Sequence, residues 1–312
     1  MRRTGQTRLS LMAAIVFLGA CGAEPPFNPD AVSKALAAET TYAPQSIVMG
    51  QSYQVPSRVY GTQREVNIYV PNLPDWAEGY FADPLPVLYL IDGGTEQDFP
   101  HIAALSQLPL VNAERTPAIV IGIKTDNRYG EITPVPTDPR YIAEFDGYGG
   151  AEGFRDFLRD EVKPFVASLG HTGPSVLMGE SLAGLFVLDT LAAEPALFDD
   201  YIAISPSSWW DDRALARQAE VALSDTPSGR RLVLAIADEG GTMEAGTRVF
   251  HAAAKANPNI DVTFLDRSDA DSHGTIYHGA AREALTVLHG LPAGDYGDPP
   301  WYLVDGANPP ED

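Results

Sequence analysis

Short apolar runs without polar alternation recur along the middle of the chain, with room for a helix between most of them. Such runs indicate strands that are covered on both faces, and hence a mostly parallel sheet lying between helices. Two earlier stretches, residues 46–53 and 58–70, are rich in β-forming residues and predict an antiparallel pair that leads into the fold. The predicted inner strands are residues 87–91, 118–123, 176–178, 201–204, 232–237 and 262–265.

Helical spacing of apolar residues fills most of the gaps between these runs. The predicted helices are residues 151–169, 183–193, 211–223, 243–256 and 276–289. Gly290 is placed to end the last helix. Strands that alternate with helices predict one α/β domain over residues 45–290, with a mostly parallel central sheet and helices on both of its faces. Residues 291–312 are dominated by Pro, Gly and acidic residues and predict a tail, in which residues 301–304 could dock onto the domain.

The N-terminus has the layout of an export signal. Three arginines precede a 12-residue apolar run, residues 9–20, which is too short to span a bilayer. Residues 18–21, Leu-Gly-Ala-Cys, resemble the bacterial lipobox, in which the signal is cut before a cysteine that then carries lipid. We therefore predict a signal over residues 1–20, a lipid on Cys21 and a tether over residues 21–44. The protein is then exported and held in the bacterial envelope, facing the periplasm or the cell surface. Ordinary cleavage that leaves a free thiol is the alternative.

Charge and cysteine content exclude several classes of protein. The 312 residues carry 21 Lys and Arg against 42 Asp and Glu, a formal charge of −21 that becomes −24 when residues 1–20 are removed with their three arginines. Such a chain is not a nucleic-acid binder working through its overall charge. It would also repel anionic headgroups, so we expect the lipid to make the membrane attachment. Because Cys21 is the only cysteine, the domain has no disulfide and no thiolate metal site.

The strongest motif for chemistry is Gly-Glu-Ser-Leu-Ala-Gly at residues 179–184, between a predicted strand and a predicted helix. This is the arrangement of a nucleophile elbow, a tight turn that lifts a serine above the strand ends. Ser181 is therefore the candidate nucleophile. The motif departs from Gly-x-Ser-x-Gly because Ala183 holds the last position and Gly184 follows it. A serine that only caps the helix is the alternative.

A serine hydroxyl becomes a good nucleophile when a base removes its proton, so we expect a histidine on a later loop. His273 and His278 follow the last predicted strand, and His273 is favoured because His278 falls within the last helix. A metal cluster of Asp269, Asp271 and His273 is the competing interpretation. The remaining histidines lie before the motif or in helical and linking segments: His101, His171, His251 and His289.

An acid and two amide donors complete the expected site. Asp238 and Glu239 directly follow a predicted strand, and we favour Glu239 as the acid that orients the histidine. The backbone amide of Leu182 is expected to bind the oxyanion of a tetrahedral intermediate. The second donor is predicted in the glycine turn after the first inner strand, at Gly94, with Gly93 as the next choice.

The oxyanion glycines, the serine, the acid and the histidine occur in the chain order of the α/β-hydrolase fold, each just after a predicted strand. The chain resembles esterases of the esterase D type, a group that includes enterobactin-type siderophore esterases, feruloyl esterases and S-formylglutathione hydrolases. The resemblance implies that Ser181 is the nucleophile, that His273 is the base, and that the loop at Glu239 supplies the acid. The segments that carry it are residues 87–94, 128–134, 149–150, 154–158, Pro164, 179–185, 205–210 and 273–274.

The expected function is a lipid-anchored serine esterase that acts on a small-molecule ester through an acyl-enzyme, without a metal, an organic cofactor or a protein partner. Trp209 and Trp210 are either the aromatic wall of its substrate pocket or core packing. The strong negative charge favours uncharged or cationic esters over anionic ones. An acyltransferase of the same fold and a non-catalytic ligand-binding lipoprotein are the alternatives. The glycine run at residues 147–150 lacks the frame of a dinucleotide site.

Overall fold

Eight strands form one sheet in the part of the chain that the computed structural model describes, residues 46–77, 79–292 and 301–304. The order across the sheet is β1-β2-β4-β3-β5-β6-β7-β8; β1 and β2 pair antiparallel with their neighbours, and all the other pairs are parallel. This confirms the predicted α/β architecture. The strands are β1 Gln51–Pro56, β2 Gln63–Tyr69, β3 Val87–Ile91, β4 Ile119–Ile123, β5 Ser175–Glu180, β6 Asp200–Ile204, β7 Arg230–Ile236 and β8 Ile260–Asp266.

Helices connect most of the parallel strands. They are α1 Phe99–Gln107, α2 Pro109–Asn112, α3 Arg128–Ile132, α4 Pro139–Glu144, α5 Ala151–Phe157, α6 Lys163–Ser168, α7 Leu182–Ala193, α8 Trp210–Arg217, α9 Ala219–Ala222, α10 Gly241–Ala256 and α11 Ile276–His289. A π-helical turn, Leu158–Val162, joins α5 to α6, and short 3-10 turns lie at Asp75–Ala77 and Trp301–Leu303. Within the described ranges, no helix is long and apolar enough to cross a membrane.

The sheet is covered on both faces, as its apolar strands predict. In β3, Val87, Tyr89 and Ile91 face the core under α5, α6, α7 and α10, whereas Leu88 and Leu90 face the core under α1 and α11. All five residues are buried. A strand with no exposed face gains from apolar residues at every position, which explains the absence of alternation.

Several predicted elements differ from the observed ones. The segment 211–223 is not one helix, because Asp211, Asp212 and Arg213 all have positive φ angles and a break follows them before α9. The Asp211 carboxylate accepts hydrogen bonds from Thr137 Oγ1, at 2.9 Å, and from the amide of Asp138, at 2.7 Å, which hold the first of these positive-φ residues in place. The helices α1 to α4 were not predicted; they are short, so apolar periodicity has few turns in which to show.

The predicted signal, the tether and Cys21 lie outside the described residues, as does most of the predicted tail. The described residues from Val48 onward form one unit. Within the tail, Tyr302 and Leu303 are largely exposed.

Two glycines set how closely the first inner strands approach at their carboxyl ends. A Cβ on Gly93 would lie 2.2 Å from Cα of Gly122, and a Cβ on Gly122 would lie 2.4 Å from the carbonyl oxygen of Gly93. The Gly93 amide also donates to the carbonyl of Ile123, at 2.8 Å. Gly93 therefore packs against β4. Because its amide already donates to Ile123, it cannot serve as the second oxyanion donor.

Candidate active site

Ser181 stands in a strained turn between β5 and α7. Its φ of 59° and ψ of −117° lie outside the regions that residues with a side chain usually adopt, which costs roughly 1–3 kcal/mol. Three backbone hydrogen bonds hold the turn: the Ser181 amide donates to Ile204 O at 3.0 Å, and its carbonyl accepts from the amides of Leu185 and Ser207, each at 2.9 Å. The serine is thus tied to β6 as well as to its own helix.

Glycines make room for this turn. A Cβ on Gly179 would lie 2.6 Å from the Cβ of Ala183, and a Cβ on Gly184 would lie 2.9 Å from the carbonyl oxygen of Ile204. The methyl group of Ala183 therefore occupies the space that Gly179 leaves open. The departure from Gly-x-Ser-x-Gly is accommodated because Gly184, one residue later, provides the close approach to β6.

The structure brings Ser181, His273 and Glu239 into one line of hydrogen bonds. The Ser181 Oγ lies 3.2 Å from Nε2 of His273, and Nδ1 of His273 lies 3.0 Å from Oε1 of Glu239. The three residues come from loops after β5, β8 and β7, whose carboxyl ends lie at the same edge of the sheet. This order of serine, histidine and carboxylate is the geometry by which a histidine can take the hydroxyl proton of a serine.

Asp238 and His278, the alternative candidates from the sequence, have other partners than this line of hydrogen bonds. Asp238 is exposed, and its amide donates to Asp271 O at 2.9 Å in a bridge between the two loops. The side chain of Glu239 is 4% exposed and faces His273. His278 lies in α11 with its ring centroid 5.1 Å from that of His101.

A metal cluster in the His273 loop finds no support in the geometry. Asp271 pairs with Arg267, at 2.7 Å, rather than with His273. Across residues 46–77, 79–292 and 301–304, no three His, Cys, Asp or Glu side chains converge in a way that could hold a metal ion.

Two further serines contact this site, and sequence reasoning assigned them no role. Ser205 Oγ donates to Oε1 of Glu239. Ser207 Oγ lies 3.3 Å from Oγ of Ser181. Both follow β6, the strand beside β5, so the only sequence signal was a Ser-Pro-Ser segment at a strand end.

The two predicted oxyanion donors differ in whether their backbone amides can bind a ligand. Leu182 is the first residue of α7, where a helix leaves its amides without partners in the helix, so its amide can serve a ligand. The Gly94 amide instead donates to Oε1 of Gln97, at 2.9 Å, and Nε2 of Gln97 donates to Thr125 O, at 3.0 Å. The prediction for Gly94 is therefore not supported, because a side chain that folds back over the turn already occupies its amide.

The two tryptophans have different surroundings. Trp210 is buried, and its Nε1 donates to Pro134 O at 3.1 Å, so it is core packing rather than pocket wall. Trp209 is half-buried and stacks on Tyr141, with ring centroids 6.2 Å apart. An open cavity of about 310 Å³ is lined by Arg140, Tyr141, Glu144, Phe145 and Trp209. Substrate contact by Trp209 thus stays a prediction, and that by Trp210 is not supported.

A second carboxyl group lies beside the histidine. Glu180 Oε1 is 3.6 Å from Nε2 of His273. Burial is the main cause that raises the pKa of Glu180 to about 7; the charge of Asp98 raises it further, whereas His273 and Arg128 lower it. Burial likewise raises the pKa of Asp98 to about 6. The histidine therefore lies beside a carboxyl group, that of Glu180, which ionises near neutral pH.

Glu180→Gln should stabilise the protein more at pH 8 than at pH 5.5. Because folding raises the pKa of Glu180 from 4.5 to about 7, the folded chain holds a proton between these pH values that the unfolded chain has lost. The stability that this proton contributes is lost as the pH rises through 7, and it amounts to at most ~3 kcal/mol.

Urea unfolding of both proteins at the two pH values measures this effect. Glu220→Gln, at an exposed position of α9, is the control and should change stability little at either pH. An equal effect of Glu180→Gln at pH 5.5 and pH 8 would contradict the prediction.

Comparison with known proteins places the chain in a family. Residues 57–279 match the family described as "Putative esterase". A siderophore enterobactin esterase of Emericella nidulans is 36% identical over 96 residues, which cover 28% of this chain and 31% of the relative. A siderophore triacetylfusarinine C esterase of Aspergillus fumigatus is 32% identical over 151 residues, which cover 44% of this chain and 49% of the relative. The matched region thus spans half or less of the length of these two relatives.

Solved structures share the fold. An IroE-like serine hydrolase from Shewanella oneidensis superposes with a TM-score of 0.63 at 26% identity, over 77% of this chain and 79% of that protein. This agrees with the mostly parallel sheet. Because the family match extends over more than two thirds of the sequence, the chain belongs to the "Putative esterase" family of α/β-hydrolases.

Proposed function

We propose that this protein hydrolyses carboxylic esters by a serine mechanism, with Ser181 as nucleophile, His273 as base and Glu239 as the acid that orients it. The observation that carries the proposal is the unbroken line of hydrogen bonds from Ser181 Oγ through His273 to Glu239, at 3.2 Å and 3.0 Å. The strained turn at Ser181 adds support, because strain of this kind persists where it holds a side chain for function.

The first half of the reaction transfers the acyl group to the enzyme. Nε2 of His273 takes the proton of the Ser181 hydroxyl while Oγ attacks the ester carbonyl carbon, and the amide of Leu182 donates to the resulting oxyanion. The tetrahedral intermediate then collapses: the bond to the alcohol oxygen breaks, and the alcohol leaves with the proton from His273. The product of this half is an ester between the acyl group and Ser181.

The second half repeats these steps with water. His273 takes a proton from the water as its oxygen attacks the acyl-enzyme, and collapse releases the carboxylic acid and returns the proton to Ser181 Oγ. Nδ1–H of His273 donates to Glu239 throughout, which fixes the ring orientation and stabilises the imidazolium that forms twice in each cycle.

The substrate class that the relatives suggest is an ester-linked siderophore, since the two relatives above are named as siderophore esterases. The formal charge of −21 would slow the approach of an anionic ester, so we infer a preference for uncharged or cationic members of the class. The open aromatic cleft at Tyr141 and Trp209 is large enough for a planar group of such a substrate.

Export and lipid attachment at Cys21 remain part of the proposal. They rest on the arginines, the apolar run and the Leu-Gly-Ala-Cys sequence of residues 1–21. A lipid on Cys21 would hold an acidic domain at a membrane that its own surface does not favour.

Replacement of the nucleophile tests the mechanism. Ser181→Ala should lower kcat on p-nitrophenyl esters by about a thousandfold or more, because the covalent route is lost, while the melting temperature stays close to that of the wild type. His278→Ala is the matched control and should retain activity, because the ring of His278, in α11, packs against His101. The assay compares uncharged and anionic esters at low salt and includes triacetylfusarinine C and enterobactin. An active Ser181→Ala variant, or an inert wild type across this panel, would contradict the proposal.

Replacement of Cys21 tests the anchor. In a bacterial host fed an alkyne-tagged fatty acid, the wild-type chain should take up the tag and fractionate with membranes, whereas Cys21→Ala should take up none and become soluble. Maleimide labelling of the mature wild-type protein would instead reveal a free thiol, the outcome of ordinary signal cleavage. A Cys21→Ala variant that stays tagged and membrane-bound would overturn the anchor.

A further inference from the structure

Ser205 occupies an unusual position at the carboxyl end of β6. It is fully buried, and its φ of 40° lies in the left-handed region, where a serine is strained. Its amide donates to Ala235 O on β7, at 2.8 Å. The backbone therefore holds this conformation firmly, and the Cβ direction is set by the two strands rather than by a mobile loop.

The Ser205 hydroxyl is directed at the proposed acid. It donates to Oε1 of Glu239, the same oxygen that lies 3.0 Å from Nδ1 of His273. Two donors from different strand ends thus meet on one carboxylate oxygen. Because the Glu239 side chain is 4% exposed, water cannot readily replace a hydrogen-bond donor that this carboxylate loses.

The loop that carries Glu239 offers little else to hold its carboxylate. Gly240 and Gly241 follow directly, both with positive φ, and a Cβ on either would meet no atom within 4 Å. The Glu239 amide donates to Ala237 O, at 2.9 Å, which fixes the backbone but does not bond to the carboxylate. In the described part of the chain, the hydrogen bonds of this carboxylate come from Ser205 Oγ and His273 Nδ1, so these two groups direct it.

We propose that Ser205 is a positioning residue for the esterase reaction: its buried hydroxyl fixes Oε1 of Glu239 so that this oxygen meets Nδ1 of His273. The inference rests on the proposed function, because it assigns Glu239 the part of the orienting acid. Ser205 is fully buried and its hydroxyl bonds to Glu239, so it acts through Glu239.

Substitutions at Ser205 can separate the effect of its hydroxyl on activity from the effect of its strained backbone. Ser205→Ala removes the hydroxyl and keeps the strain, whereas Ser205→Gly removes the hydroxyl and relieves the strain. Ser208→Ala is the matched control, because Ser208 is a buried neighbour whose hydroxyl accepts from Thr247 Oγ1, at 2.9 Å, and does not contact Glu239.

The proposal predicts a selective loss of turnover. Ser205→Ala and Ser205→Gly should each lower kcat by about 10- to 100-fold, as expected for one lost hydrogen bond to a charged group, with KM changed less than about twofold. Ser208→Ala should stay within about twofold of the wild type.

Steady-state kinetics on one p-nitrophenyl ester, with thermal melts of each variant, measure these effects. Wild-type kcat in Ser205→Gly would overturn the proposal, because the hydroxyl would then contribute nothing to turnover. If Ser205→Ala does not fold, Ser205→Gly carries the test, because glycine adopts the turn without strain. Ser181→Ala is assayed beside them: activity in that variant would defeat the proposed function itself, whereas an inactive Ser181→Ala with an unimpaired Ser205→Gly would defeat only the role of Ser205.

Discussion

The alignment of the carboxyl ends of β5, β6 and β7 is the constraint on which the site depends. The amide just after β5, at Ser181, donates to the last residue of β6, and the amide just after β6, at Ser205, donates to β7. The strand ladder thus continues one step past the strand ends and fixes two strained serines. Because the register of the strands sets where each turn begins, a shift of one residue in the pairing of β5 with β6 would turn the Ser181 side chain away from His273.

The electrostatics of the site follow from burying several carboxyl groups at that edge. In the proposed reaction the imidazolium of His273 forms between Glu239, at 3.0 Å, and Glu180, at 3.6 Å. The low exposure of both side chains strengthens the interaction with a positive charge and disfavours an unneutralised negative one. The same burial that raises the pKa of Glu180 to about 7 therefore places a second, pH-dependent charge beside the base.

Much of the fold could be predicted from the sequence because burial on both faces leaves a continuous apolar run; the predicted strand at residues 87–91 matches β3 at both ends. The chain order of Ser181, Glu239 and His273 could be predicted for the same reason, since each follows such a run. Contacts made by side chains from distant segments could not. Gln97 occupying the Gly94 amide, Trp210 turning into the core, and Ser205 reaching Glu239 all depend on directions that only the folded backbone sets.

The central claim is that Ser181 is the activated serine, and covalent labelling tests it most directly. An alkyl fluorophosphonate reacts with serines that a neighbouring base has activated. Mass spectrometry of the labelled, digested protein should find one adduct per chain, on Ser181, formed in step with the loss of esterase activity. An adduct on Ser207, whose hydroxyl lies 3.3 Å away, or no adduct at all in an active enzyme, would contradict the account.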